Sequence, residues 1–146
     1  MHLEETIVIK RPPETIWAFW ADPFNIPRLR GGSLAYRQTS PGPLGIGSTA
    51  EGRAMFLGFE IRVSFRITEF DPPRRGTATF AARPLRSYVV RTTLEPVADG
   101  TRVVRSSEVE LHPALKPLTP VLGLVLRRVD RRVLQNLKRT LEAEPG

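Results

Sequence analysis

Residues 113–142 read PALKPLTPVLGLVLRRVDRRVLQNLKRTLE. Thr119 can cap the first free amides of a helix, and Pro120 suits the first helical position because proline has no amide hydrogen to leave unpaired. About 23 residues at ~1.5 Å each make a rod of roughly 35 Å, as long as a small domain is wide. The stretch therefore predicts one long helix from Thr119 onward, around which the rest of the chain is organised.

This predicted helix has an apolar face and a basic face. The apolar side of the helical wheel holds Leu118, Leu122, Val125, Leu126, Val129, Val133, Leu137 and Leu141. The opposite side holds Arg127, Arg128, Arg131, Arg132, Gln135, Lys138 and Arg139. A large aliphatic side chain contributes up to roughly 1.5–3 kcal/mol when fully buried. We therefore expect the helix to dock on the preceding residues and to supply much of the stability.

Length and composition indicate one domain, residues 1–146, with 40% apolar residues available for a core. The absence of cysteine excludes disulfides, a thiol nucleophile and a thiolate metal site. Glu4, Glu5 and Lys10 argue against a signal peptide. The longest apolar run, Val121–Leu126, is far shorter than the ~20 residues that span a bilayer. We expect a soluble, cytoplasmic protein.

The net charge of +7 raises the question of an anionic partner, such as nucleic acid or lipid head groups. Nineteen of the 22 basic residues are arginine, and they are scattered along the chain rather than clustered. This pattern favours a solvated basic surface, and we expect no nucleic-acid partner. Membrane contact through the basic face of the long helix stays open. No pattern in the sequence indicates an oligomeric state.

The residues before the long helix predict two short helices and seven strands. The chain is expected to begin with a strand at Leu3–Lys10, a helix at Glu14–Ala21 that ends at Asp22-Pro23, and a short helix at Phe24–Leu29. Six further strands are expected to follow: Ser33–Thr39, a strand that begins after Gly47, Phe59–Thr68, Thr77–Ala82, Ser87–Val97, and Thr101 to His112. Hairpin-length links among the later strands imply an antiparallel sheet with helices on one face. The fold class is therefore α+β.

The fourth strand alternates most clearly, and a tight turn at Leu57-Gly58 would join it to the third. The pairs that follow are Phe56 with Phe59, Ala54 with Ile61, Gly52 with Val63 and Ala50 with Phe65. The inward side chains of the third strand would then be very small. Because small inward side chains leave volume unfilled, this register indicates a cavity rather than a packed core.

Asp99-Gly100 is a strong hairpin signal between the last two strands. A turn there pairs Ala98 with Thr101. Tyr88, Val90, Thr92 and Leu94 then share a face with Leu111, Val109, Ser107 and Arg105. On the other face Arg91 would lie opposite Glu108, an attractive pair that supports this register.

Several short motifs, in this order, resemble those of the SRPBCC superfamily. They are Pro12-Pro13-Glu14-Thr15-Ile16-Trp17 with Asp22-Pro23, Gly45-Ile46-Gly47-Ser48, Phe70-Asp71-Pro72-Pro73-Arg74, Leu94-Glu95-Pro96 with Asp99-Gly100-Thr101-Arg102, and Leu137-Lys138-Arg139-Thr140-Leu141-Glu142. That superfamily includes START lipid-transfer domains, birch-pollen-allergen-like proteins and bacterial polyketide cyclase/dehydrase-like proteins. The chain departs from it at Ile26–Leu29, where many such sequences carry a tryptophan.

The resemblance implies a helix-grip fold, in which a deep apolar cavity lies between the sheet and the long helix. In the superfamily this cavity holds lipids, sterols, polyketides or other hydrophobic molecules. The motifs are structural and identify no reaction. The resemblance implies a small hydrophobic ligand. We expect no cofactor, because Gly45-x-Gly47 lacks the third glycine and the following helix of a dinucleotide site and no Walker-type loop occurs.

Two charged residues point to the inside of this arrangement. Arg105 faces the helix side of the sheet, and Asp130 occupies the apolar sector of the helix wheel. Strand and helix rises of ~3.3 and ~1.5 Å per residue place the two at about the same level. One hypothesis is that they pair in or beside the cavity, because a buried charge needs a partner. The alternative is that Asp130 turns outward to Arg127 while Arg105 extends to the edge.

The other candidate ligand-binding residues are polar or aromatic groups on the inner wall. Tyr88, Thr92 and Ser107 could hydrogen-bond a ligand carbonyl or hydroxyl, or they could satisfy one another. Trp17, Trp20 and Phe24 are more typical of a core than of a ligand platform, and Trp20 and Phe24 are the better candidates for a gate to the pocket. The remaining candidates are Phe56, Phe65, Leu122 and Leu126, beside Arg105 and Asp130.

No catalytic constellation is visible in the sequence. His2 and His112 lack carboxylate partners by spacing, and ligands for a metal are missing. Acid–base chemistry would depend on Asp130, Glu51 or Tyr88, and the register turns Glu51 outward. Three functions remain, in order: a binding or transport protein for a hydrophobic ligand, a polyketide cyclase/dehydratase-like enzyme using the same cavity, and a membrane- or partner-associated protein using the basic helix.

Overall fold

The computed structural model describes residues 1–20, 34–43, 45–56, 58–82 and 85–143. In chain order the elements are β1 (His2–Ile9), α1 (Pro13–Trp20), β2 (Leu34–Gln38), β3 (Thr49–Phe56), β4 (Phe59–Asp71), β5 (Arg75–Ala82), β6 (Leu85–Val97), β7 (Gly100–Leu111), a 3₁₀ helix (Pro113–Leu118) and α2 (Thr119–Ala143). The expected second short helix, Phe24–Leu29, and the departure at Ile26–Leu29 lie outside the described residues.

All seven strands form one antiparallel sheet in the order β1-β7-β6-β5-β4-β3-β2. The α+β helix-grip architecture is therefore confirmed, with α2 as the long C-terminal helix. The pairs expected between β3 and β4 are also confirmed, from Phe56 opposite Phe59 to Ala50 opposite Phe65.

The predicted register of the β6–β7 hairpin is wrong by two residues. Val97 pairs with Gly100, so that Ala98 and Asp99 form the turn. Arg91 therefore lies opposite Ser106 rather than opposite Glu108. A shift of two residues keeps every side chain on its original face, so the inward set survives the error.

Gly100 explains why the Asp-Gly signal misleads. A Cβ placed on Gly100 would lie 2.1 Å from the carbonyl oxygen of Ile9, at the end of β1. No side chain fits at that distance. Glycine is therefore required here for the close approach of β1 rather than for a central position in the turn.

The apolar face of α2 packs against β1 and β7. Its buried aliphatic residues join two core clusters with residues of both strands. Polar contacts hold the helix to β1 as well: Lys138 Nζ donates to the carbonyl oxygen of Val8 at 2.8 Å, and Arg131 Nη2 lies 3.5 Å from Glu5 Oε1. The predicted docking of the helix on the preceding residues is confirmed.

The first residues of the long helix differ from expectation in two ways. Thr119 has helical backbone angles, and its hydroxyl donates to the carbonyl oxygen of Lys116 at 2.6 Å instead of capping free amides. Leu118, expected on the buried side, is exposed because it belongs to the preceding 3₁₀ helix and does not follow the wheel of α2.

The inner face of the sheet has two unlike parts. The first part, which we call the sealed half, is defined by buried residues of β1 and β7: Leu3, Ile9, Val103, Val109 and Leu111. The second part, which we call the open half, is defined by residues of β4 and β5 that keep part of their surface exposed: Ile61, Ile67, Ala78, Phe80 and Ala82. Val63 packs with three of these in a cluster separate from the two that include α2. The helix therefore covers the two parts unequally.

Candidate ligand-binding site

A buried ion pair joins the sheet to α2. Arg105 Nε on β7 donates to Asp130 Oδ1 at 2.9 Å, and their side chains are 12% and 1% exposed. The hypothesis that these residues meet inside the fold is confirmed. The alternative, in which Asp130 turns outward to Arg127, is wrong.

Asp130 has a second partner on the sheet. The hydroxyl of Ser107, also on β7, donates to Asp130 Oδ2 at 3.5 Å. Each carboxylate oxygen therefore accepts a hydrogen bond, as a buried acid requires. Asp130 thus acts as the counter-ion that fixes the position of Arg105.

Arg105 is also held by aromatic side chains. The centroid of the Trp20 ring lies 5.6 Å from its guanidinium carbon, within range of a cation–π interaction. Burial disfavours the charged guanidinium, but the carboxylate of Asp130 and the hydroxyl of Tyr88 outweigh burial and raise the pKa of Arg105 above its usual value. The guanidinium is therefore charged at any physiological pH.

A row of aromatic rings leads from this pair into the open half. Phe65, Phe80 and Tyr88 are directly opposite one another on β4, β5 and β6. The ring centroids of Phe65 and Phe80 are 5.3 Å apart, and those of Phe80 and Tyr88 are 5.4 Å apart with the planes nearly perpendicular. The row is therefore apolar at Phe65 and polar at the Tyr88 hydroxyl.

Helix α1 covers one end of this wall. A Cβ on Gly76 would lie 3.1 Å from the Trp17 ring, and that ring meets Phe70 edge-on at a centroid distance of 5.4 Å. Trp17 is thus packed in the core, as expected. Thr92 lies directly opposite Arg105 and is buried.

Most of the predicted site residues come together, although not all. The group around the ion pair and the aromatic row contains Trp20, Phe65, Tyr88, Thr92, Arg105, Ser107 and Asp130. Leu122 and Leu126 belong instead to a core cluster with residues of the sealed half, against which Tyr88 also packs. Phe24 lies outside the described residues. The backbone of Phe56 pairs as expected, but its side chain is not among those described.

Sequence reasoning missed two residues of this wall. Phe80 completes the aromatic row, and pairing it with Phe65 would have required the β4–β5 register. Glu5 lies opposite Arg105 on β1 with an 18% exposed side chain, bonded to Arg131. The alternation of Leu3, Ile7 and Ile9 would have placed Glu5 on the inner face.

The two histidines lie away from this group. His2 Nδ1 hydrogen-bonds to Glu108 Oε1, which raises the pKa of His2, and His112 Nδ1 accepts from the amide of Ala114 at 3.3 Å. In the described part of the chain no three acidic or histidine side chains are grouped so that they could hold a metal ion. None of the helices described there combines the length and hydropathy that crossing a bilayer requires.

Solved structures confirm this architecture at low sequence identity. A protein of Thermus thermophilus is 18% identical, with a TM-score of 0.81 and 100% coverage of both chains. Ara h 8.0201 is 14% identical, with a TM-score of 0.80 and 99% coverage of both chains. A Mycobacterium smegmatis protein is 17% identical, with a TM-score of 0.76, and the match covers 99% of this chain and 93% of that one. No curated protein sequence matches the chain.

The fold and the buried pair define a helix-grip protein with a polar group on the inner wall of its sheet. The model of the family described as polyketide cyclase/dehydrase and lipid transport matches residues 1–142. The chain belongs to this family, whose description supports the binding of small hydrophobic molecules in general.

Proposed function

We propose that this protein binds a small hydrophobic ligand between α2 and the open half of the sheet. The observation that carries the proposal is the contrast on one inner face. Apolar residues of β1 and β7 are sealed beneath α2, whereas Ile67, Ala78 and Phe80 keep part of their surface exposed. Apolar surface left accessible inside a fold is typical of a ligand pocket.

The polar end of the site suggests which atoms of the ligand bind there. Asp130 already neutralises Arg105, so the pair as a whole attracts a dipole more than a full negative charge. The hydroxyl of Tyr88 adds a group that can donate or accept. The ligand that fits best is largely apolar and carries a carbonyl or hydroxyl oxygen at one end.

The aromatic row suggests the shape of the apolar part. Phe65 and Phe80 present ring surface to the open half, and rings pack favourably with other rings in tilted or edge-to-face geometry. A polyketide-like or aromatic molecule would use this surface, and a lipid chain would use it less fully.

Native mass spectrometry of protein purified from its own host tests the proposal. We expect a co-purified molecule of lipid or polyketide-like mass that organic solvent extracts. Ala78→Phe, which adds a ring to the inner face, should abolish the adduct. Ala98→Phe is the matched control, because it makes the same substitution in the exposed turn between β6 and β7. Equal adduct on both variants, or none on the wild-type protein, would contradict binding in the open half.

Catalysis in the same cavity is the second candidate, favoured by the contact of Tyr88 with Arg105. A phenol beside a guanidinium could donate a proton to a bound carbonyl, as a cyclase or dehydratase requires. Incubation with an aromatic polyketide, followed by mass analysis for loss of water, separates the two functions. Tyr88→Phe should then retain binding and lose turnover, whereas a pure binding protein gives no product with either form.

A further inference from the structure

The outer face of α2 begins with exposed aliphatic side chains. Leu118, Val121 and Leu124 are 53%, 57% and 53% exposed. Val121 and Leu124 are three residues apart and are therefore neighbours on the surface of α2, and Leu118 precedes them at the end of the 3₁₀ helix. Three such side chains in one patch are unusual on a surface that faces only water.

Exposed arginines follow this patch along α2. Arg127, Arg128, Arg132 and Arg139 are exposed, and none of them forms an ion pair with another described residue. Two other cations of the basic face are paired, Arg131 with Glu5 and Lys138 with Glu142. Between Thr119 and Thr140 the one acid in the sequence is Asp130, which is buried and neutralised by Arg105. The outer face is therefore uniformly positive.

Helix geometry brings the two features together. Leu124 and Arg128 are one turn apart, about 6 Å along the axis at 1.5 Å per residue. Arginine side chains can extend along the helix and keep the guanidinium in a polar layer while the stem lies on apolar surface. The aliphatic side chains and the arginines that follow them can therefore contact the same surface together, the aliphatic groups in an apolar layer and the guanidinium groups in a polar layer above it.

We propose that the N-terminal half of α2 docks this protein on an anionic phospholipid bilayer. Leu118, Val121 and Leu124 would enter the boundary between head groups and acyl chains, and Arg127, Arg128 and Arg132 would bind phosphates. A symmetric dimer that covered this whole face would bury the arginines of both copies without any acid of the face to neutralise them, which disfavours this occupant. RNA would match the arginines and leave the aliphatic patch without a partner.

Vesicle flotation of the whole chain tests the proposal at an ionic strength of about 0.15 M. The wild-type protein should float with vesicles of phosphatidylcholine mixed with phosphatidylglycerol and stay behind with phosphatidylcholine alone. Arg128→Gln with Arg132→Gln should weaken binding about 30-fold, at about 1 kcal/mol or fivefold for each arginine near the surface. Val121→Ser with Leu124→Ser should reduce binding at least about tenfold, because the aliphatic insertion is lost while the arginines remain.

Arg62→Gln with Arg66→Gln is the matched control, since both residues are exposed on the outer face of β4 and the net charge falls by the same two units. Binding should be unchanged in this variant. Equal weakening by both arginine pairs would show non-specific attraction and overturn the proposal. The proposal also fails if Val121→Ser with Leu124→Ser binds like wild type, or if single-stranded RNA competes the protein off the vesicles.

Discussion

The two halves of the inner face share one sheet and one alternating pattern, yet they differ in what covers them. In the sealed half, residues such as Ile9 and Val103 are fully buried beneath α2. In the open half, residues such as Ile67 and Phe80 stay partly accessible. Inward-facing apolar residues are therefore not sufficient for a closed core. The position of the helix over β1 and β7 decides which of these residues are buried and which stay partly accessible.

The ion pair joins β7, in the sealed half, to α2, and removing one partner should have the largest effect. Asp130→Ala leaves Arg105 buried without its counter-ion, so the free energy of unfolding should fall by about 3–5 kcal/mol in urea denaturation. The double variant Arg105→Met, Asp130→Leu should recover most of the loss, because no charge is then left unpaired. If the single variant is as stable as the wild type, the ion pair does not stabilise the packing of α2 on β7.

A matched truncation in each half measures the contrast directly. Ile9→Ala in the sealed half should cost about 2–5 kcal/mol, as for other large-to-small core changes. Ile67→Ala in the open half should cost less than half as much, because its side chain is only partly buried and no closed void is created. Urea midpoints at constant slope give both values. Equal losses would show that the open half is as closely packed as the other.

The opposite change, adding volume, should give the same order, with the smaller loss of stability again in the open half. Val103→Phe overfills the sealed half and should cost about 1–3 kcal/mol. Ala78→Phe adds more atoms but has accessible space beside it, so we expect a loss below about 1 kcal/mol. Thermal melts of the purified variants check this. A larger loss for Ala78→Phe would remove the basis for a pocket above β5.

The smallest effect should come from the rim of the sealed half, where His2 meets Glu108 and lies 3.6 Å from Glu4. The hydrogen bond to Glu108 raises the pKa of His2 above 6.5, so the folded state binds the proton more tightly than the unfolded state. This contribution is fully present below pH 6.5 and is lost as the pH rises through the folded pKa. Melting temperatures across this range should fall for the wild type and change less for His2→Asn. Parallel profiles for both proteins would exclude the linkage.

The sequence predicted which face each strand buries, because alternation and hairpin links fix faces independently of the exact register. The β3–β4 register was predictable as well, since Gly58 leaves a single tight turn there. The β6–β7 register was not, because the reason for Gly100 is the carbonyl oxygen of Ile9, a residue far away in the chain. Long-range approach of this kind leaves no local signal.

The candidate site was predictable to a similar degree. An acid in the apolar sector of a helix needs a buried partner, which is how Asp130 pointed to Arg105. Leu118 was misplaced because the wheel of α2 does not extend into the 3₁₀ helix, where the rotation per residue differs. Glu5 was missed because the alternation of its strand was not extended to single positions, although strict alternation with Leu3, Ile7 and Ile9 places Glu5 inward.

The close approach at Gly100 couples a surface turn to the interior. Lys138 and Arg131 bind α2 to the edge strand β1. The distance between the helix and the sheet therefore depends on how closely β1 packs against β7. Any side chain at Gly100 would wedge that strand outward and lift the helix with it. A residue next to a surface turn would in this way set the distance between the long helix and the sheet.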